Sequence, residues 1–245
     1  MGTVLCFITP KRLKQRTVPT IRKERIMNVF NIIGPVMVGP SSSHTAGAVR
    51  IGRIVRSLLG EQPVDATILL YGSFARTYKG HGTDKAIVAG LLGMMPDDER
   101  IRNSMELAKT SGLSYRFETE IKDDEHPNTT LITAAGASGK KVIVKGVSVG
   151  GGNILIKQIN DMELEFSGEY FTLVISHKDV QGAIADVAGL LAANELNIAN
   201  MKVYRSSKGG SAMMVIETDQ EIPADLESLI DGLDKIRSAT LLYPI

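Results

Sequence analysis

The last third of the chain leaves little choice of fold. β-Branched and apolar runs at 171–176, 197–205, 210–217 and 236–243 alternate with helix-spaced segments at 182–194 and 223–232. The order is strand, helix, strand, strand, helix, strand, and Ser206-Ser-Lys-Gly-Gly210 supplies a hairpin between the middle two strands. A βαββαβ order packs both helices on one face of a four-stranded antiparallel sheet, so residues 170–245 are expected to form a ferredoxin-like domain. Many unrelated activities share that fold, and it names no function.

Residues 27–166 mix helices and strands, which makes the whole chain α+β. Ile51, Ile54, Val55, Leu58 and Leu59 recur at helical spacing up to a stop at Gly60. A strand over 64–71 and helices over 85–94 and 100–110 follow, then strands at 115–121, 129–135, 141–149 and 153–159 separated by glycine turns. Ser167-Gly-Glu169 reads as a short linker between the two domains.

Charge and cysteine content remove several functions. Residues 1–26 hold seven Lys and Arg against Glu24 and show no periodicity, as expected of a solvated basic tail, while the remaining residues carry net charge −5. Such a body does not suit nucleic acid. The lone cysteine, Cys6, can form neither an internal disulfide nor a zinc or iron-sulfur ligand set, so no metal site is expected in this chain. The basic cluster follows the short apolar run at 4–8, the reverse of a signal peptide, and export is not expected. The uncharged stretch 28–49 is long enough to span a bilayer, but Pro35, Pro40 and the hydroxyls of Ser41, Ser42, Ser43 and Thr45 interrupt it. We therefore expect a cytoplasmic chain with no membrane segment. No Gly-x-Gly-x-x-Gly follows a strand, which disfavours a dehydrogenase.

Two short motifs concentrate the unusual chemistry. Gly39-Pro-Ser-Ser-Ser-His-Thr-Ala-Gly47 places three hydroxyls and His44 at the expected start of a helix, where amide N–H groups and hydroxyls can hold a carboxylate and an imidazole can move a proton near neutral pH. Gly80-His-Gly-Thr-Asp84 places His81 between glycines, again just before a helix. Ordinary capping by one Ser in the first motif, and by Thr83 or Asp84 in the second, would account for the same residues without function. His126, in Asp-Asp-Glu-His-Pro, reads as part of a solvated turn.

Together these motifs resemble the beta chain of the iron-sulfur-dependent L-serine dehydratases over residues 27–245, with Gly34-Pro35 through Gly47 and Gly80–Asp84 the most specific stretches. The resemblance implies a first domain similar to the substrate-binding domain of some phosphoglycerate dehydrogenases, and a C-terminal ACT domain. It also implies a separate alpha chain whose cysteines ligate a [4Fe-4S] cluster, and conversion of L-serine to pyruvate and ammonia by the two chains together. An iron with an open coordination position would make hydroxide a tolerable leaving group. This chain would contribute His81 or His44 as general base, with Ser41, Ser42, Ser43, Thr45, Gly82 and Thr83 around the substrate. Serine-binding ACT domains carry His-x-Asn-x-Pro-Gly after the first strand and Asn at the start of the second. Here the corresponding residues are His177, Asp179, Gln181, Gly182 and Asn197, and the acidic Asp179 suits an ammonium better than a carboxylate. The resemblance leaves open a purely structural ACT domain that pairs subunits. A different class of function, a serine-sensing module that regulates another enzyme, would use the same two domains without the alpha chain.

Overall fold

The computed structural model describes residues 35–121 and 125–245. The basic tail at 1–26, Cys6 and the expected start of order at Met27 lie outside the described residues, as does Gly34.

The first described helix, α1 (Ala48–Leu59), buries Ala48, Val49, Ile51, Ile54, Val55, Leu58 and Leu59, the apolar stripe visible in the sequence. Gly60 closes it in the left-handed region at φ 79°, its N–H bonding to the Arg56 carbonyl at 3.0 Å. Strand β1 (Pro63–Tyr71) follows, with Ala66, Ile68 and Leu70 buried on alternate positions. Then come α2 (Gly72–His81), α3 (Thr83–Leu91), a 3₁₀ turn at Glu99–Asn103 and α4 (Ser104–Thr110). The strands β2 (Ser114–Glu120), β3 (Thr129–Gly136), β4 (Lys141–Gly150), β5 (Asn153–Ile159) and β6 (Met162–Phe166) complete a six-stranded sheet in the order β2-β1-β3-β4-β5-β6. Only the β1–β2 pair among these is parallel.

Helices α1 and α3 cross at backbone contact, and two glycines make this possible. A Cβ on Gly52 would lie 2.5 Å from the Ile87 carbonyl oxygen, and one on Gly90 would lie 2.2 Å from the Val49 carbonyl oxygen and 2.9 Å from the Gly52 Cα.

The C-terminal residues form β7 (Phe171–Lys178), α5 (Ala183–Ala193), β8 (Ile198–Arg205), β9 (Ser211–Thr218), α6 (Ala224–Asp231) and β10 (Ile236–Leu242), paired antiparallel in the order β10-β7-β9-β8. This is the expected ferredoxin-like arrangement, and the chain as a whole is α+β. Leu173, Ile175, Met214, Ile216 and Leu241 meet Val187, Leu191, Leu226 and Ile230 of the helices. On alternate strand positions Val174, Met213, Val215 and Leu242 turn away from the helices and belong to the core of the first sheet. Ser167-Gly-Glu169 runs between β6 and β7. Among the described residues no helix is long and apolar enough to cross a membrane.

Two elements depart from the sequence reading. Helix α2 was not expected, because Gly72, Gly80 and its polar residues mask any apolar period, and only Phe74 on it is fully buried. Strand β6 is a five-residue edge strand behind a turn in which Asn160 adopts φ 53°.

Candidate active site

The Gly39–Gly47 motif does not begin as a regular helix. Residues Ser43–Gly47 form one π-helical turn, in which the Gly47 N–H reaches the Ser42 carbonyl at 3.0 Å, and α1 continues directly from it. Wide turns of this kind recur at functional sites. The backbone lies low here: a Cβ on Gly47 would sit 2.2 Å from Ser148 Oγ, and one on Gly39 would sit 2.1 Å from Thr45 Oγ1. The expected anion cradle is therefore partly used internally. The Thr45 N–H bonds to the Ser41 carbonyl at 2.8 Å, and the His44 N–H points to Ser41 Oγ at 3.4 Å.

Helix α2 forms the opposite wall. Gly72, at φ 52°, turns the chain out of β1 so closely against Pro127 that a Cβ would lie 2.6 Å from the proline Cα. Ser73, Thr77 and His81 then fall at positions i, i+4 and i+8 along one helical face. His81 is the last residue of α2 and not the opener of the next helix, with Gly82 at φ 72° capping it and Thr83 starting α3. This corrects the reading of a loop at Gly80–Asp84, whose glycines signal a helix boundary on both sides.

These walls bring the two histidines together. Their ring centroids lie 4.8 Å apart, edge to face at 88°. His44 is buried with 8% exposure, and Phe74 covers its other side at 5.2 Å. Its Nδ1 lies 3.3 Å from Ser41 Oγ, and its Nε2 lies 3.1 Å from Thr77 Oγ1 and 3.4 Å from Ser73 Oγ. His81 is exposed and borders a cleft of about 480 Å³ lined by Gly39, Pro40, Thr45 and Gly82 together with Lys79, Lys85 and Arg102, and with no carboxylate among the described residues that line it. Burial pushes the nearby Asp84 carboxyl up, against the opposing pull of the Lys85 N–H. Ser41, Ser42 and Ser43 are half-buried in the turn. Thr83 is fully buried and does not line the cleft. His126 is exposed, with its Nδ1 accepting the Asn128 N–H at 3.2 Å.

Residues 26–159 match the serine dehydratase beta chain family, and residues 171–234 match the ACT domain. The chain is 46% identical over 209 residues to the probable L-serine dehydratase, beta chain, of Bacillus subtilis, covering 85% of this chain and 93% of that one. It is 40% identical over 213 residues to the L-serine dehydratase, beta chain, of Peptoniphilus asaccharolyticus, covering 86% and 96%. The chain belongs to the L-serine dehydratase beta chain family. Against the longer L-serine dehydratase of Streptomyces coelicolor it is 35% identical over 153 residues, which is 53% of this beta chain and 33% of that protein.

In this beta chain the polar groups expected to form an ACT effector site do not all meet. His177 is 2% exposed; its Nδ1 donates to the Lys178 carbonyl at 2.7 Å, and its buried Nε2 has no partner among the described residues. Asp179 accepts the Gly209 N–H at 2.8 Å and pairs with Arg205 at 3.5 Å, while Gly182, at φ 88°, leads into α5. Asn197 lies at the far end of β8, bonded to Asp219 at 3.1 Å. The length of β8 separates it from Asp179, roughly 26 Å at about 3.3 Å per residue.

Sequence reasoning passed over Ser73 and Thr77, which hold the His44 ring. Their i, i+4 spacing, continued to His81, is the signal that would have revealed both helix α2 and its polar face.

Burial, with the charge of His81 adding to it, holds the His44 imidazole below its ordinary range. The unfolded chain takes up that proton near pH ~6.5 and the native state resists it, so stability present above this value is lost as pH falls. Melting temperatures taken from pH 8 to pH 5 should decline through this window, and less steeply in His44→Gln.

Proposed function

We propose that this chain is the beta subunit of an L-serine ammonia-lyase that converts L-serine to pyruvate and ammonia together with an alpha chain. The observation that supports this best is the His44–His81 pair beside a cation-lined cleft in a member of this family. The substrate carboxylate suits Lys79, Lys85 and Arg102, with Thr45 and Gly82 close by and Ser41, Ser42 and Ser43 in the adjoining turn. His81, exposed to the cleft, accepts the Cα proton. The C–H electron pair forms the Cα=Cβ bond as hydroxide leaves Cβ, giving aminoacrylate, which takes up water to yield pyruvate and ammonia. A positioned base of this kind contributes about 10²- to 10⁴-fold in rate.

Among the described residues no group of three or more His, Cys, Asp or Glu could hold a metal ion. The residues present do not fit a cluster, so we assign the [4Fe-4S] ligands and leaving-group activation to the alpha chain. The match to about a third of the longer Streptomyces enzyme agrees with a second catalytic portion outside this chain. We further propose the division into a basic tail at 1–26, a serine dehydratase beta-chain, substrate-binding-like domain at 27–166 and an ACT domain at 170–245, and a cytoplasmic location. The separation of Asn197 from His177, Asp179 and Gly182 favours an effector site completed by Asn197 of a second copy, and hence ACT-mediated self-association.

Anaerobic co-expression with the alpha chain, followed by pyruvate assay on L-serine and L-threonine, tests the reading. The chain alone should be colourless and inactive, and the pair should be brown and release pyruvate from L-serine. A chain that carries a stoichiometric, serine-responsive cluster by itself would overturn the two-subunit assignment. An inactive pair would favour a sensor.

A further inference from the structure

The hydrogen bonds around His44 determine which nitrogen carries its proton. Thr77 Oγ1 donates to the Ser73 carbonyl one helical turn earlier at 2.8 Å. A hydroxyl has one hydrogen. With that hydrogen directed to the backbone, Thr77 Oγ1 offers lone pairs to His44 Nε2 at 3.1 Å, which favours Nε2 as the donor. Ser73 Oγ, at 3.4 Å, lies within reach of the same hydrogen. A neutral imidazole protonated on Nε2 has a bare Nδ1, which faces Ser41 Oγ at 3.3 Å and takes the Ser41 hydrogen. The His44 backbone N–H approaches the same oxygen at 3.4 Å.

We propose that Thr77 is a positioning residue that fixes the Nε2-protonated form of His44, and that this form leaves Ser41 Oγ able only to accept a hydrogen bond from a ligand. Resting on the function proposed above, the ligand group that fits such an oxygen is the substrate ammonium and not its carboxylate. The cations of the neighbouring cleft are left for the carboxylate. If the proton moved to Nδ1, it would donate to Ser41 and free the serine hydrogen to point at the ammonium, which repels it.

The test has two arms. In the full chain with ¹⁵N-labelled histidine, long-range proton–nitrogen correlation, assigned by the signal lost in His44→Gln, should show the proton on Nε2. Thr77→Val, nearly isosteric but without the acceptor, should shift His44 toward the Nδ1-protonated form, and Thr77→Ser should restore the wild-type signature. A proton on Nδ1 in the wild type, or an unchanged tautomer in Thr77→Val, would overturn the assignment. This arm needs neither substrate nor alpha chain, so it stands or falls apart from the proposed reaction. In the reconstituted enzyme, Thr77→Val and Ser41→Ala should each raise KM for L-serine by about tenfold, the scale of one lost hydrogen bond to a charged group, with kcat within about threefold. The double variant should be little worse than either single one. A KM left unchanged in both would overturn the ammonium role, even with the tautomer as expected.

Discussion

Replacing His81 by Ala in the reconstituted enzyme is expected to lower kcat by about 10²- to 10⁴-fold, the range for loss of a positioned general base. His81 is the histidine exposed to the cleft, whereas the buried His44 has both ring nitrogens within hydrogen-bond reach of Ser41, Ser73 and Thr77. His44→Ala should also reduce kcat, because the ring it removes stands 4.8 Å from His81 and helps fix where that base points. The two losses should not add, since residues that act as a unit lose most of their effect with the first removal. Exchange of deuterium from the serine Cα separates the roles. It should vanish in His81→Ala and persist, slowed, in His44→Ala. Persistence in His81→Ala with loss in His44→Ala would exchange the assignments.

The largest effect on stability is expected at the crossing of α1 and α3. In Gly90→Ala the new methyl would meet the Val49 carbonyl oxygen at 2.2 Å, a backbone atom that cannot swing aside, so the helices must separate. Overpacking costs about 1–3 kcal/mol and more where backbone must move. At about 2–4 °C per kcal/mol for a chain of this size, the melting temperature should fall by roughly 2–12 °C, or the protein should fail to accumulate where the backbone cannot give. Gly52→Ala should behave alike, since from the α1 side its methyl would meet the Ile87 carbonyl oxygen at 2.5 Å. Gly80→Ala is the control: nothing lies within 4 Å of its Cβ, and alanine is the better helix former by about 1 kcal/mol. A melt unchanged in Gly90→Ala would show that the two helices are not packed this closely.

How much the sequence revealed follows from which physical signal each element leaves behind. Helix α1 and the C-terminal strands were legible because a stripe or an alternation of apolar residues marks a buried face directly. Helix α2 buries only Phe74 completely, and its other face carries the polar Ser73, Thr77 and His81, so hydrophobic periodicity passes over it. The histidines drew notice by type and by their glycine neighbours. The hydroxyls that hold His44 did not, because Ser73 and Thr77 acquire meaning only when β1 delivers α2 opposite the π-helical turn. Asn197 shows a different limit: the motif groups it with His177, Asp179 and Gly182, but within one chain the length of β8 holds it apart from them.

The second face of the ACT sheet has a bearing on how this molecule can be divided. Val174, Met213, Val215 and Leu242 lie in the same apolar cluster as Ile54 and Leu58 of α1. The helix that begins beside His44 is thus clamped, near its other end, by the domain that carries His177. A cut at 167–169 would release two fragments that each present a greasy flank to water, so neither half is a freestanding module. Strain introduced in the C-terminal sheet has a rigid rod, and not a slack tether, along which to reach the turn that carries His44.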